Sequence, residues 1–200
     1  MRVLIVIAHA NPNSFSHAVL EAFTKGLKDG GHTFEVVDLY AIGFDPCLNL
    51  EEYRIIGFET PKDVLEQQEK VAQADALAFV YPVIWMNFPA ILKGWLERVF
   101  NYGFAYNLTE AGMLRGDLKG RIGILKHKKA LLINTTGWSE ASYRETPGML
   151  DAMEKIMVDY ALKYPGISNV EHVFLYQALT VDDETRKGYL ELAYRLGKEF

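Results

Sequence analysis

Apolar residues along this chain fall into two alternating patterns. Short apolar runs rich in Val, Ile and Leu are typical of strands buried in a sheet. Such runs predict five strands: Val3–Ala8, Thr33–Leu39, Ala76–Tyr81, Lys129–Asn134 and Val170–Tyr176. Apolar residues at helical spacing predict five helices: Phe15–Asp29, Asp63–Gln73, Pro89–Tyr102, Pro147–Tyr164 and Asp182–Lys198. We expect the stretches Tyr40–Lys62 and Ala111–Arg121 to be irregular.

The alternation of strands and helices predicts an α/β fold. A strand, a helix and a second strand in succession cross over right-handed, which makes the two strands parallel. Repetition of this unit builds a doubly wound sheet with helices on both faces. Five strands without a second mononucleotide-binding half favour the flavodoxin-like strand order 2-1-3-4-5. We expect a single domain over residues 1–200, a length that buries a substantial core.

Composition narrows the class of protein. Half of the residues are hydrophobic and 24% are charged, as in ordinary globular domains. The 26 acidic residues outnumber the 21 basic ones, which argues against nucleic acid and against anionic membranes as partners. No apolar run approaches the roughly 20 residues of a membrane-spanning helix, so we expect no stable membrane insertion. The single cysteine, Cys47, excludes an internal disulfide and indicates a cytoplasmic location.

Ligands of such sheets bind beyond the carboxyl ends of the strands, near the point where the strand order reverses. The loop after the first strand runs from Ala8 to His17 and leads into a helix. The partial positive charge and free N–H groups of a helix N-terminus suit a phosphate, to which His9 and Ser14 could add donors. Alternatively, Asn13 or Ser14 only caps the helix, and His9 is a loop histidine with a protein partner.

Large aromatic side chains follow the third strand. The stretch from Tyr81 to Tyr106 reads YPVIWMNFPAILKGWLERVFNYGFAY, and so much aromatic surface beyond a strand end indicates a planar ligand. Its first part, PVIWMNFP, offers backbone amides and the plane of Trp85, and a flavin ring needs both. Alternatively, Trp85 and Phe88 cover the helix that follows, because a buried Trp is usually a packing residue.

The loop after the fourth strand is small and polar. It reads TTGWSEASY from Thr135 to Tyr143, and Gly137 would let the backbone approach a ligand closely. A phenol at Tyr143 could donate a hydrogen bond to charge on a flavin carbonyl and then relay a proton. Without the other two loops, Tyr143 would be interpreted as a surface aromatic residue without a role.

Other kinds of site find no support in the sequence. The first loop has neither the Gly-Lys-Ser/Thr of a P-loop nor a G-x-G-x-x-G dinucleotide fingerprint. His9 and His17 lack metal-ligand spacing with a carboxylate, so we expect no metal site. Ser139 and Ser142 lie outside a G-x-S-x-G elbow, which argues against a Ser-His-Asp hydrolase.

Four segments resemble the NAD(P)H:quinone oxidoreductases of the flavodoxin-like superfamily. They are LIVIAHANPNSFSHA near the start, FVYPVIWMNFPAILKGWLERVF in the middle, GFAY at Gly103–Tyr106 and TTGWSEASY at Thr135–Tyr143. The resemblance covers nearly the whole chain, and PAILKGW followed by ERVF is highly specific. It implies a flavin bound noncovalently at a homodimer interface. NAD(P)H would reduce the flavin and leave, and a quinone or similar acceptor would then take two electrons in the same pocket.

The resemblance also implies which residues bind the ligands. The phosphate and ribityl end of the flavin would contact His9, Ser14, Phe15, Ser16 and Ala18. The ring would contact Pro82, Val83, Trp85, Met86, Thr135, Thr136, Gly137 and Trp138. Tyr143 would relay the proton, and Tyr106 would roof the substrate pocket of the neighbouring subunit. Arg186 falls near a family position that contacts the phosphate end of the cofactor.

Three positions depart from the family pattern. Met149 stands where mammalian members have a histidine paired with the tyrosine, so Tyr143 would relay protons with water or another group, or the hydride step needs no second residue. Leu108 replaces a second pocket tyrosine and makes the substrate pocket more apolar. Trp138 stands where the family often has a second glycine and narrows the site.

Two hypotheses about function remain. The chain resembles the short bacterial branch of the family, whose members can carry FMN instead of FAD and in some cases act as ancillary subunits of potassium efflux systems. The first hypothesis is a flavin-dependent quinone reductase that uses NADH or NADPH, with FAD favoured by the match of His9–Ala18 to FAD-binding relatives. The second is a flavin-binding regulatory subunit of a potassium efflux system. A one-electron flavodoxin shuttle is disfavoured, because shuttles carry a denser acidic face.

Overall fold

A computed structural model of the chain describes residues 1–53, 57, 59–116 and 118–200. The strands among these residues are β1 (Arg2–Ile7), β2 (Thr33–Asp38), β3 (Ala76–Pro82), β4 (Tyr106–Leu108), β5 (Arg121–Gly123), β6 (Ala130–Thr135) and β7 (Val170–Leu175). The α-helices are α1 (Phe15–Asp29), α2 (Lys62–Gln73), α3 (Ala90–Val99), α4 (Glu110–Arg115), α5 (Glu140–Glu145), α6 (Met149–Glu154) and α7 (Asp183–Lys198). None of the described helices is both long enough and apolar enough to cross a membrane.

Five parallel strands form the main sheet, as the alternating pattern predicts. In chain numbering their order is β2-β1-β3-β6-β7, whereas the sequence predicted 2-1-3-4-5. The numbering differs because β4 and β5, which the sequence analysis missed, come before the fourth strand of the main sheet. These two short strands pair antiparallel as a sheet of their own. They have three residues each, too few to show a period-two pattern.

The main sheet is buried on both faces, which explains its continuous apolar strands. Val3, Ile5 and Ile7 of β1 point to one face and pack with residues of α1 and α7. Leu4 and Val6 point to the opposite face and pack with residues of α2 and α3. Because successive side chains of a strand alternate between faces, one apolar run supplies both halves of the core.

Two predicted boundaries differ in the structure, one beside a glycine that turns the chain and one at a helix cap. The predicted helix Pro89–Tyr102 ends at Val99, and Gly103, with a φ of 86°, turns the chain towards β4. The stretch Ala111–Arg121, predicted to be irregular, begins inside α4. Thr109 caps α4 by accepting a hydrogen bond from the Gly112 N–H, so an N-cap signal was overlooked there. Residue 117 of this stretch, and residues 54–56 and 58 of the predicted stretch Tyr40–Lys62, lie outside the described residues.

The predicted helix Pro147–Tyr164 differs in its start and in its type. It begins at Met149, directly after Gly148, whose φ is 72°. Over Lys155–Lys163 the helix continues as a π-helix, in which the hydrogen bonds join residues i and i+5 and not i and i+4. Apolar spacing does not distinguish these two helix types over so few turns, so the sequence predicted one continuous α-helix.

Candidate functional site

A cavity of about 900 Å³ lies beyond the carboxyl ends of β1, β3 and β6. This is where the strand order reverses, because the chain passes from β1 to β2 on one side and later returns to β3 on the other. The three loops chosen from the sequence meet there, as the general rule for such sheets predicts. All of the predicted cofactor-binding residues except Ala18 line this cavity, and Tyr143 and Met149 line it as well.

The first turn of α1 and the loop before it line the cavity and offer polar donors. Ser14 is the N-cap, and its Oγ accepts a hydrogen bond from the His17 N–H. His9 Nδ1 accepts from the Asn11 N–H at 3.0 Å, so the proton of neutral His9 is on Nε2. Burial, and next the neighbouring His17, lower the pKa of His9, which favours the neutral ring. The loop thus presents a helix N-terminus with side-chain donors, a suitable arrangement for a phosphate.

Arg186, in the first turns of α7, adds a positive charge to the same cavity. Its guanidinium lies over the ring of Phe15, 5.4 Å from the centroid. One guanidinium nitrogen donates to the Val181 carbonyl at 3.4 Å, and the buried Nε has no hydrogen-bond partner among the described residues. A buried donor without a partner is costly in a protein, so an anionic ligand group would satisfy it.

The loop after β3 makes a tight turn with an unusual backbone. Ile84 and Asn87 exchange two backbone hydrogen bonds of 3.0 Å, and the central residues Trp85 and Met86 have φ angles of 52° and 60°. Non-glycine residues seldom adopt this left-handed conformation, which costs free energy and clusters at ligand sites. Trp85 is 96% exposed, so it does not cover the following helix. Phe88, by contrast, is buried against Tyr81 and is a packing residue.

Hydrogen bonds tie the three loops together. The hydroxyls of Ser16 and Thr135 are 3.0 Å apart and join the start of α1 to the end of β6. The Val83 N–H donates to the Thr135 carbonyl at 2.8 Å, which joins the loop after β3 to the same point. A Cβ atom added at Gly137 would meet no other protein atom within 4 Å, so open space lies beside this backbone. The start of α1 and the loop after β3 are therefore both hydrogen-bonded to Thr135 at the end of β6.

Tyr143 is buried at the edge of the cavity and is not a surface residue. Only 2% of it is exposed, and its phenol is hydrogen-bonded to the Thr136 hydroxyl at 2.9 Å. The Thr136 oxygen also accepts from the Trp138 N–H at 3.1 Å. The ring of Tyr143 packs against Trp138 and Tyr176. The phenol is thus held in place by the β6 loop that lines the cavity.

Three of the predicted residues lie outside this cavity. Ala18 is on α1, beyond the residues of that helix that line the cavity. Tyr106 lines a second cavity of about 340 Å³, where the Arg121 guanidinium lies 5.4 Å from the Tyr106 ring and 5.1 Å from the Tyr164 ring. Leu108, on β4, lines neither cavity. The role of Tyr106 in a neighbouring subunit remains a prediction.

Sequence reasoning missed several residues of the site. Asn11, Ile84, Ala178 and Leu179 also line the cavity. Ala178 and Leu179 follow β7, and the rule for strand ends would have pointed to this loop if all five strands had been considered. Among the described residues, no group of three or more His, Cys, Asp or Glu side chains could hold a metal ion.

A parallel sheet in this order, with a cavity at its switch point, defines the flavodoxin-like class of α/β proteins. Residues 1–196 match the protein family described as Flavodoxin-like fold. The chain therefore belongs to that family.

Relatives within the family are NAD(P)H oxidoreductases. The chain is 34% identical to an uncharacterized NAD(P)H oxidoreductase of Haemophilus influenzae, a match covering 96% of this chain and 92% of the relative. It is 39% identical to NAD(P)H dehydrogenase (quinone) 1 of Cavia porcellus over 71% of this chain, but only 55% of that longer protein. The structure of the NAD(P)H:quinone oxidoreductase from Methanothermobacter marburgensis superposes with a TM-score of 0.89 at 39% identity, covering 99% of this chain and 98% of that one. The chain belongs to the family that its sequence resembles.

Proposed function

We propose that this chain is a single-domain, flavin-dependent NAD(P)H:quinone oxidoreductase. The observation that carries this proposal is the cavity at the β1–β3 switch point, whose lining combines the N-terminus of α1 and Arg186 with the apolar side chains of Val83, Met86 and Trp138. When bound there, a flavin would accept a hydride from NAD(P)H and pass two electrons to a quinone or similar acceptor. The NAD(P)H oxidoreductases among the relatives support the reaction. The residues that line the cavity of this chain support a flavin as the cofactor.

The donor set of the cavity fits a flavin. Its phosphate end would be held by the N-terminus of α1, with His9, Ser14 and Arg186 as donors. Its ring would lie against the loops after β3 and β6, which place Trp85 and Trp138 at the edge of the cavity. The buried phenol of Tyr143 would donate a hydrogen bond to charge that develops on the ring. Met149 supplies no proton, so water would complete the relay.

We infer FAD as the cofactor and FMN as the alternative. The N-terminus of α1 accounts for one phosphate. Arg186 supplies a second cationic site, and its buried Nε lacks a partner among the described residues. Two such sites suit the diphosphate of FAD better than the single phosphate of FMN. The choice between NADH and NADPH has no supporting residue in this chain.

We further infer a homodimer located in the cytoplasm. The exposed apolar side chains of Ile84 and Trp85 stand at the mouth of the cavity, and those of Ile156 and Tyr160 line the cavity that contains Tyr106. Exposed apolar clusters are frequent at interfaces between subunits. In the dimer, Tyr106 would roof the substrate pocket of the neighbouring subunit. The cytoplasmic location rests on the single, free cysteine.

Reconstitution with flavin and anaerobic reduction test this function. The protein should bind FAD and turn yellow, lose its colour on anaerobic addition of NADPH or NADH, and regain it when a quinone is added. Heat release followed by chromatography against FMN and FAD standards identifies the preferred flavin. A protein that stays colourless after reconstitution contradicts the proposal. Tight flavin binding without reduction by either nucleotide would favour the regulatory-subunit hypothesis.

A further inference from the structure

Three side chains form a hydrogen-bonded row at the N-terminus of α1. His17 Nε2 lies 3.3 Å from Asp38 Oδ2, and His17 Nδ1 lies 2.9 Å from Ser14 Oγ. Ser14 lines the cavity, whereas Asp38, the last residue of β2, is not among its lining residues. No sequence pattern indicated this row, because His17 and Asp38 are 21 residues apart. The imidazole of His17 therefore links a carboxylate to the N-cap hydroxyl of the candidate phosphate site.

The hydrogen bonds of Asp38 decide the tautomer of His17. Asp38 Oδ1 accepts from the N–H groups of Tyr40 and Ala41, at 3.0 and 3.1 Å, and a carboxylate accepts hydrogen bonds but donates none. The neutral imidazole must then carry its proton on Nε2, facing Asp38. Its Nδ1 is left as an acceptor for the Ser14 hydroxyl. In this state the only hydroxyl proton of Ser14 is directed at His17.

Protonation of His17 reverses the bond to Ser14. An imidazolium donates from both nitrogens, so Nδ1–H would donate to Ser14 Oγ. That oxygen already accepts from the His17 backbone N–H, and its own proton would then be free to donate into the cavity. The imidazolium would also carry a positive charge on the residue that is hydrogen-bonded to Ser14 of the site, and Asp38 would stabilise that charge. Both changes favour an anion at the N-terminus of α1.

We propose that His17 is a positioning residue that takes up one proton from solvent when the phosphate end of the flavin binds, and so turns the Ser14 hydroxyl towards the phosphate. This inference rests on the proposed flavin site. The proton comes from water, and no bond other than hydrogen bonds forms or breaks. Flavin affinity should therefore fall as pH rises, because binding is coupled to the uptake of a proton.

Other charged groups near His17 define the controls. His9 faces it across the loop after β1, with ring centroids 6.2 Å apart, so one charge disfavours the other. Glu21 is four residues further along α1, on the same face of the helix. On the α7 side, Arg186 lies over Phe15 and keeps its charge as the pH changes. His9 is thus the second group whose titration could affect anion binding.

The test compares the pH dependence of two ligands. FAD carries a diphosphate with no ionisation near neutral pH, and riboflavin has the same ring without a phosphate. Dissociation constants from fluorescence quenching at pH ~5.5 to ~8.5 should show FAD affinity falling by about tenfold from the acidic to the alkaline end of this range. Riboflavin affinity should change by less than about twofold over the same range. Equal pH dependence for the two ligands would overturn the inference and leave the proposed function intact.

Variants assign the effect to a residue. In His17→Gln the FAD affinity should be nearly independent of pH and close to the wild-type value at the alkaline end. In His9→Gln the affinity should fall while the pH dependence remains. Loss of the pH dependence in His9→Gln, with retention in His17→Gln, would overturn the inference. Absence of binding of either flavin at every pH would overturn the proposed function together with it.

Discussion

Trp85 combines a left-handed backbone with an almost fully exposed indole. Each feature is unfavourable for the free protein, because a Cβ clashes at positive φ and an exposed ring contributes little to the core. The ligand-binding role that we propose for Trp85 would explain why a tryptophan is found here and a glycine is not. The same turn places Met86 at a φ of 60°, so two consecutive residues store strain at the mouth of the cavity.

Two substitutions of Trp85 separate the effect of backbone strain on stability from the effect of the indole on FAD affinity. Trp85→Gly should raise the free energy of unfolding by about 1 kcal/mol, because relief of the left-handed strain exceeds the extra chain entropy of glycine. Trp85→Ala keeps its Cβ and should leave stability unchanged. Both variants lose the indole, so FAD affinity should fall by about tenfold in each. Urea unfolding measures the change in stability, and fluorescence titration measures the change in FAD affinity. A urea midpoint of Trp85→Gly equal to that of the wild type would show that the turn is not strained.

Tyr143 is the residue to which we assign proton relay. Tyr143→Phe removes only the phenol oxygen, and the Thr136 hydroxyl keeps its bond from the Trp138 N–H, so folding and flavin binding should persist. The rate of anaerobic flavin reduction by NADPH should fall at least about tenfold in stopped-flow measurements. Tyr176→Phe is the matched control, because Tyr176 packs against Tyr143 but does not line the cavity. Equal reduction rates in wild type and Tyr143→Phe would remove the relay role.

Among the elements, the packing of α1 against α7 positions the proposed phosphate end of the site. Ser14 caps α1 and Arg186 lies near the start of α7, so the spacing of these helices sets the distance between the two groups to which we assign anion binding. Two glycines permit close approach: a Cβ at Gly26 would lie 2.0 Å from the Tyr194 carbonyl oxygen, and one at Gly197 would lie 2.1 Å from that of Phe23. The close contact is therefore encoded on both helices.

Gly26→Ala should therefore destabilise the protein although alanine favours helices. The contact with backbone atoms of α7 forces the helices apart, at a cost of about 2 kcal/mol or more, and FAD affinity should fall with it. Gly188→Ala is the control, since a Cβ there meets nothing within 4 Å and should stabilise α7 by about 0.5 to 1 kcal/mol. Thermal or urea unfolding of both variants checks the contrast, and a stabilised Gly26→Ala protein would contradict it.

The larger elements were predictable from the sequence because their patterns are long and their strands are buried on both faces. Apolar runs and helical spacing identified the main sheet and most of the helices around it. The pair β4–β5 was missed because each strand has three residues. The π-helical segment Lys155–Lys163 was missed because its hydrogen bonding leaves no distinct mark on apolar spacing.

The site was predictable where one rule applied and unpredictable where distant residues meet. Strand ends converge at one edge of a parallel sheet, so the loops with His9, Trp85 and Thr135 could be grouped before any geometry was known. The contact between His17 and Asp38 joins α1 to the end of β2. No spacing rule covers such a pair, because it depends on how the helix lies over the sheet.

For the whole molecule, we predict a dimer of the 22.7 kDa chain. Tyr160 is half exposed beside the cavity that contains Tyr106. Tyr160→Asp would place a charge in this apolar surface, so the dimer should dissociate and quinone reductase activity should fall together. Leu65→Asp, at a similarly exposed apolar residue on α2, should change neither. Light scattering after size-exclusion chromatography measures the mass, and a wild-type monomer with full activity would contradict the shared pocket.

We place a flavin in the cavity at the β1–β3 switch point, with its phosphates at the N-terminus of α1. A crystal structure of the protein reconstituted with FAD would show the flavin and its orientation. We predict the flavin ring against the loops that contain Trp85 and Gly137, and phosphates bonded to Ser14 and Arg186. A flavin bound in the opposite direction, or in another part of the molecule, would contradict this placement.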